Sequence, residues 1–139
     1  TAAEPDFGQA LRQLIASMSG AGQSTPELEL TNPVLSFITP KLGEQLLNIV
    51  REALSNSTRH AHASHRWVRL SLADNAIHLI IGDNGVGFST KRKRRAGHGL
   101  SNMAVRAKQI SATFTLKSAP GKGTSVLVDI PLKKGNVYE

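Results

Sequence analysis

At 139 residues with 40% hydrophobic side chains, the chain is sized for one globular domain with a single core. It has no Cys, which excludes disulfides and thiolate metal sites and suits a reducing cytosolic setting, and its longest apolar runs, such as Ala76 to Ile81, are far too short to cross a bilayer. Of the net charge of +7, five positive charges come from the single run Lys91, Arg92, Lys93, Arg94 and Arg95, so no basic face is spread over the fold and, without interleaved aromatics, nucleic-acid binding is not expected.

No signal-peptide pattern opens the chain, and a start at Thr1 without Met suggests a piece of something longer. Asp6 to Met18 places Phe7, Ala10, Leu11, Leu14, Ile15 and Met18 at three-four spacing, which predicts an amphipathic helix ending by Gly20. Ser19 to Thr25 is small and polar and reads as a loop. Glu27 to Thr31 alternates as a strand does, and Pro33 then limits it to a sheet edge. Thr39-Pro40 is an N-cap followed by Pro at the first helical position, and the helix it opens is expected to run to about His60 or Ala61. On that helix Asn48, Glu52, Asn56 and Arg59 share one narrow sector, while Leu46, Leu47, Val50, Ala53 and Leu54 cover the opposite side. One face packs and the other is free for chemistry.

Arg66 to Leu72 and Ala76 to Ile81 flank the turn pair Asp74-Asn75 and predict a hairpin. Gly82 to Gly97 is expected to be loop. Leu100 to Ile110 has helical spacing, and Thr113 to Lys117 and Thr124 to Ile130 form a second hairpin about Ala119-Pro120-Gly121. The order helix, strand, helix, hairpin, helix, hairpin implies helices packed on one face of a mixed sheet.

Four strings carry chemistry. Asn is a poor helix-interior residue, so Asn56 is either simply exposed or has a task, for which its neutral oxygen suits Mg²⁺. Glu52, one turn earlier, would reach the same volume as a base or an orienter of water. Arg59 and His60 would meet phosphate oxygens, or else complement the dipole at a helix C-terminus. Asp83, in Asp83-Asn84-Gly85-Val86-Gly87, is a plain turn residue or an acceptor for an exocyclic amino group such as that of adenine, with Gly85 and Gly87 letting the backbone pass close to a flat base and Val86 and Phe88 covering it. Gly97-His98-Gly99-Leu100 opens a helix whose free amides favour an anion. Gly121-Lys122-Gly123-Thr124 is either a hairpin turn alone or one in which Thr124 supports Asp83 through its hydroxyl or a bridging water. There is no Gly-Lys-Ser/Thr phosphate loop and no dinucleotide-binding Gly-x-Gly-x-x-Gly after a strand, and His60, His62 and His65 lack the supporting carboxylate or Cys of a metal site.

With all four strings in order, the chain resembles the ATP-binding catalytic domain of sensor histidine kinases, a branch of the GHKL group that includes gyrase, the Hsp90 chaperone and MutL. The resemblance covers about Leu42 to Leu132 and is nearest to the nitrate-sensor-like subfamily, through Arg51-Glu52-Ala53-Leu54-Ser55-Asn56 with Arg59-His60-Ala61, Gly82 to Phe88, and Gly97-His98-Gly99-Leu100-Ser101-Asn102-Met103 with Arg106-Ala107. It implies the Bergerat fold, an α/β two-layer sandwich of a mixed, mostly antiparallel sheet with about three helices on one face, in a single domain over residues 1–139 whose first 25 residues are a helix and loop. It further implies ATP and Mg²⁺ as ligands: Asn56 as the Mg²⁺-binding Asn, Arg59 and His60 near the phosphates, and Asp83 selecting adenine with Gly85, Gly87 and Thr124. Gly97 and Gly99 match the second glycine box, which hinges an ATP lid over residues 88–96 and meets the phosphates, with His98 and Leu100 also at the nucleotide. Glu52 matches the hydrolytic Glu of the gyrase and MutL branches, a role kinases need not keep.

In this family the phosphate passes to a His in a His-Asp or His-Glu context on a separate dimerising hairpin. None of His60, His62, His65, His78 or His98 is followed by an acid. The acceptor is therefore expected outside this chain, and the resemblance implies as partners that dimerisation domain and a response regulator, in a full-length homodimer whose catalytic domain is cytoplasmic, monomeric in isolation and free of membrane contact. The alternative functions are a nucleotide- or protein-binding module without chemistry, nucleic-acid binding through Lys91 to Arg95, and a Glu52-dependent ATPase.

Overall fold

The computed structural model describes residues 6–19, 24–89 and 98–132. The first helix, α1 (Phe7–Ser17), is capped by Asp6, whose side chain accepts the Gln9 amide at 2.7 Å, and it buries Leu11 and Ile15. Strand β1 (Glu27–Leu30) is short, as the following Pro33 requires, and lies at the sheet edge. Beyond it the chain makes a 3-10 turn over Asn32–Phe37 that buries Val34, an element the alternation pattern did not announce.

Helix α2 (Pro40–Asn56) begins as expected, with Pro40 in its first turn and the Thr39 hydroxyl accepting from the Leu42 amide at 3.2 Å. Its end differs from expectation. The regular helix stops at Asn56, and Ser57–Ala61 continue as a wider π turn closed by His62 in the left-handed region at φ 50. Asn56 is thus the last α-helical residue of α2, not an interior one.

Strands β2 (Arg66–Ala73) and β3 (Ala76–Asp83) form the first hairpin, and Asp74 and Asn75 both take positive φ in the two-residue connection. Helix α3 (His98–Gln109) precedes the second hairpin, β4 (Thr113–Ser118) with β5 (Thr124–Pro131). The sheet order is β1-β2-β3-β5-β4, with β1 parallel to β2 and the remaining pairs antiparallel. The expected mixed, mostly antiparallel sheet with three helices is the one found.

Register explains the core. Val68, Ile81 and Val126 stand side by side across β2, β3 and β5, as do Leu70, Leu79 and Val128, and all six are buried. On this face lie Leu42, Leu46, Ile49, Val50 and Leu54 of α2, with Leu11 of α1 and Met103 and Ala107 of α3, in one continuous cluster. Each such Leu or Ile contributes about 1.5–3 kcal/mol by leaving water, more than helix propensity can supply per residue, so packing sets where α2 lies. The same register carries past Ile81 and puts Asp83 on the core face, at the end of the central strand.

Candidate nucleotide site

Asp83 is the last residue of β3 and is only 6% exposed. Its Oδ1 accepts the Gly85 amide at 2.8 Å, which bends the chain sharply out of the sheet. Its register neighbours are Arg66 on β2 and Thr124 on β5.

The loop that follows is held from two sides. Gly87 lies at φ +64, where a Cβ would strike the Ala119 carbonyl, and the Gly121 amide donates to the Val86 carbonyl at 2.6 Å. Gly123, at φ +75, is similarly pressed against the Asp83 carbonyl. Ser118 Oγ accepts the Phe88 amide at 2.9 Å, donates to the Gly123 carbonyl at 3.0 Å and lies 2.8 Å from Thr124 Oγ1. Since Ser118 has one proton and Gly123 takes it, the Thr124 hydroxyl is the donor in that last bond. The second hairpin turn is therefore a buttress under the Asp83 loop, and Gly123 is required by backbone packing whatever the ligand.

Asn84 has a structural task that its place in Asp-Asn-Gly did not reveal. Its Oδ1 accepts the amides of Ser64 and His65 at 3.0 and 2.9 Å, and its Nδ2 donates to Ser64 Oγ at 2.9 Å, clamping the approach to β2.

On α2 the polar sector falls where the 100° periodicity put it. Glu52 and Asn56 are half-buried and Arg59 is exposed, with Arg59 Nη2 donating to Asn56 Oδ1 at 2.8 Å. The oxygen proposed for a cation is thus held by a guanidinium that would have to swing away from it. Ser57, next in the π turn, is buried, and its Oγ is the one buried side-chain polar atom without a partner among the described residues. The backbone of His60 lies in this turn, but its side chain falls outside the described parts, as do those of His98 and Leu100. His98, Gly99 and Leu100 form the first residues of α3, two positions ahead of the expected start. Gly97 and most of the expected lid, residues 90–97, lie outside the described residues. A separate groove lined by Phe7, Leu35, Ile38, Gly43, Leu47 and Arg51 opens beside α1 and includes none of the expected site residues.

Arg66 was missed, although its parity with Val68 and Leu70 signals the buried face. It is 2% exposed, and Nη1 donates to Thr58 Oγ1 at 2.8 Å while Nη2 donates to the carbonyls of Met18 and Ser24 at 3.1 and 2.7 Å. Burial pulls its pKa below the ordinary arginine value, an effect the neighbouring Asp83 carboxylate opposes. Through Arg66 the strand end bearing Asp83 is linked to the π turn that follows Asn56.

A helix-covered mixed sheet in the order β1-β2-β3-β5-β4 is the fold of the corresponding region of solved histidine kinases. Solved structures share that fold: Acinetobacter baumannii histidine kinase AdeS superposes with a TM-score of 0.72 at 18% identity over 91% of this chain and 64% of that one, and Erythrobacter litoralis EL346 blue-light activated histidine kinase with 0.71 at 18% identity over 94% and 43%. The chain belongs to the family of histidine kinase-, DNA gyrase B- and HSP90-like ATPases, whose pattern it matches over residues 42–134. It is 32% identical over 137 residues to the sensor protein VraS of Staphylococcus aureus (strain COL), and 32% identical over 132 residues to VraS of Staphylococcus epidermidis (strain ATCC 12228). The first match covers 98% of this chain and 38% of that protein, so the chain spans well under half the length of the curated relatives it matches.

Proposed function

We propose that this domain is the catalytic ATP-binding domain of a two-component sensor histidine kinase, which binds Mg·ATP and delivers its γ-phosphoryl group to a His on a separate dimerisation domain for relay to a response regulator. The observation that carries the reading is Asp83: a carboxylate only 6% exposed at the end of the central strand, with one oxygen engaged by the Gly85 amide at the start of the glycine loop. That arrangement suits acceptance of an exocyclic amino group, because an anion out of water discriminates strongly between a donor and an acceptor placed against it. The Ser118–Thr124 pair holds Thr124, the register neighbour of Asp83, and Gly85 and Gly87 would let a flat base lie against the backbone.

At the other end, the residues present fit Mg²⁺. Asn56 offers a neutral hard oxygen at a helix terminus. When bound, the ion would neutralise charge on the phosphates. Arg59, released from Asn56, would then be free to pair with phosphate oxygens in its forked geometry. Amides at the α3 N-terminus, with Gly97, His98, Gly99 and Leu100, would hold the anion from the opposite side, and His60 would join them. Such transfer depends on in-line placement and charge stabilisation, with the nucleophilic imidazole arriving from the partner domain. Glu52 would orient water or the incoming imidazole. The assignment to the nitrate-sensor-like subfamily rests on the motif strings alone. No described helix is long and apolar enough to cross a membrane, and we assign the domain to the cytoplasm, as a monomer by itself and within a homodimer in the full protein.

Calorimetric titration with Mg·ATP and Mg·GTP, on this chain and on Asp83→Asn, tests the reading. Binding that prefers ATP and loses that preference in the variant is expected. Absence of any nucleotide binding, or a preference untouched by the substitution, would refute it.

A further inference from the structure

A buried guanidinium with no part in the reading above is the most unusual group in the core. Arg66 opens β2 on the same face as Val68 and Leu70, a place where an aliphatic side chain would satisfy the core. Stability does not explain it, because exchanging a buried charge for a hydrophobic side chain of similar volume is often neutral or favourable. What a guanidinium offers that an aliphatic group cannot is several directed donors on one rigid plane.

Those donors reach two regions far apart in sequence. One bond holds Thr58 Oγ1 in the π turn, two residues beyond Asn56, and two hold the main-chain carbonyls of Met18, just past α1, and Ser24, ahead of β1. On the adjacent strand the register partner of Arg66 is Asp83. The plane therefore stands between the base-reading end of the site and its phosphate end. Thr58, the residue it anchors, lies inside the π turn, a kind of turn often found at functional sites.

We propose that Arg66 is a positioning residue for the nucleotide, fixing the Asn56–Arg59 end of α2 at a set separation from Asp83, with Thr58 as the link. This rests on the reading of Asp83 and Asn56 as the two ends of a Mg·ATP site. Ligands that engage both ends feel the separation, and ligands that engage only the base do not. The carbonyls of Met18 and Ser24 bring the end of α1 and the approach to β1 onto the same plane, so displacement of either would be felt between the two ends of the site.

The test compares two affinities in the same chain: a non-hydrolysable ATP analogue with Mg²⁺, by calorimetry, and adenosine, by NMR titration. In Arg66→Met and Thr58→Val the preference for the Mg²⁺-bound analogue over adenosine is expected to fall about tenfold, since misplacement of about an ångström can cost that much or more, with adenosine affinity held within about twofold. Arg66→Lys, which keeps the charge without the planar fork, should recover part of the preference. A purely structural role would lower the melting temperature and leave the ratio of affinities unchanged. Should Arg66→Met fail to fold, Thr58→Val decides, because it removes one hydroxyl and leaves both carbonyl bonds. An unchanged ratio in a folded Arg66→Met, or in Thr58→Val where Arg66→Met does not fold, overturns the inference. A wild-type chain that binds neither ligand would instead overturn the nucleotide reading beneath it.

Discussion

Gly123 leaves no room between the second hairpin turn and the backbone of Asp83: a Cβ built on it would run into the Asp83 carbonyl oxygen, and its φ of +75 already disfavours any L side chain. Gly121, two residues earlier, has a similar φ of +77 but nothing near its open face. Gly123→Ala is accordingly expected to cost about 2–4 kcal/mol through strain and steric displacement, and Gly121→Ala only about 1 kcal/mol through its backbone. Urea denaturation of the two variants gives the comparison. Because the displaced partner is the main chain of Asp83, Gly123→Ala should also weaken ATP binding in whatever fraction remains folded, and equal effects of the two substitutions would contradict the buttress.

Asn56 now accepts from Arg59, and the two roles proposed for them require that bond to open. Removing the amide takes away the cation's oxygen but frees Arg59. Asn56→Ala should therefore weaken Mg·ATP by about tenfold while leaving ADP titrated in excess EDTA nearly unchanged or slightly improved, as expected when a metal ligand is lost and a charge partner released. Calorimetry with and without Mg²⁺ reads this directly. Equal losses under both conditions would assign Asn56 to the phosphates or to the helix end.

A pH effect is expected on the far face of the sheet. His78 Nδ1 lies 2.6 Å from Asp129 Oδ1 across β3 and β5, and Nε2 lies 3.1 Å from the Ala73 carbonyl. The hydrogen bond to Asp129 is the main cause of a His78 pKa raised above the ordinary imidazole value, with burial opposing it and Ala73 and Asp74 assisting. A group whose folded pKa is raised stabilises the fold fully below its unfolded value of about 6.5 and loses that contribution as pH climbs through the folded pKa. Both side chains are partly exposed, so the effect is small and salt-sensitive. The midpoint of urea unfolding should fall between pH 6 and 8, by more in the parent than in Asp129→Asn. Identical pH profiles would remove the pair from the account.

The parts of this fold that repeat with a period were legible in the residues, and the parts held by distant side chains were not. Alternation through Val68, Leu70, Ile77, Leu79 and Ile81 located the hairpin, while the structure carries the same parity on to Asp83 and Arg66, which the expected strands did not include on that face. Helical spacing located the sector of Glu52, Asn56 and Arg59. The end of α2 was misjudged because nothing local distinguishes Ser57–Ala61 from more helix: the turn widens where Thr58 meets an Arg eight residues on, a bond no propensity records. Asn84 escaped for a like reason, its partners lying 19 and 20 residues upstream. Gly123 was seen as a turn glycine, which it is, but its need to be glycine comes from a different loop. Asp83 and Asn56 were singled out by the Asp-Asn-Gly and Glu-Ala-Leu-Ser-Asn strings, and the structure buries the first at a strand end and puts the second at a helix end.

Trp67 offers the last check, from the face of the sheet opposite the site. Its ring lies so close to Gly82 that any Cβ there would overlap it, while Arg69 Cζ stands 6.0 Å from the ring centroid and Arg69 Nε pairs with Glu29 at 3.1 Å. Gly82 does not have positive φ, so the need for glycine here is steric alone. Gly82→Ala should push the indole outward, shift the emission of this only Trp to longer wavelength and cost about 1–3 kcal/mol. Trp67→Val removes the obstacle, so adding Gly82→Ala on that background should cost much less, a coupling that a double-mutant cycle measures. Where the ring cannot yield, β3 must, and Asp83 is the next residue along it. ATP affinity should then fall in Gly82→Ala and recover in the double variant, whereas additive losses of stability and affinity would mean that Trp67 and Gly82 act on the site separately.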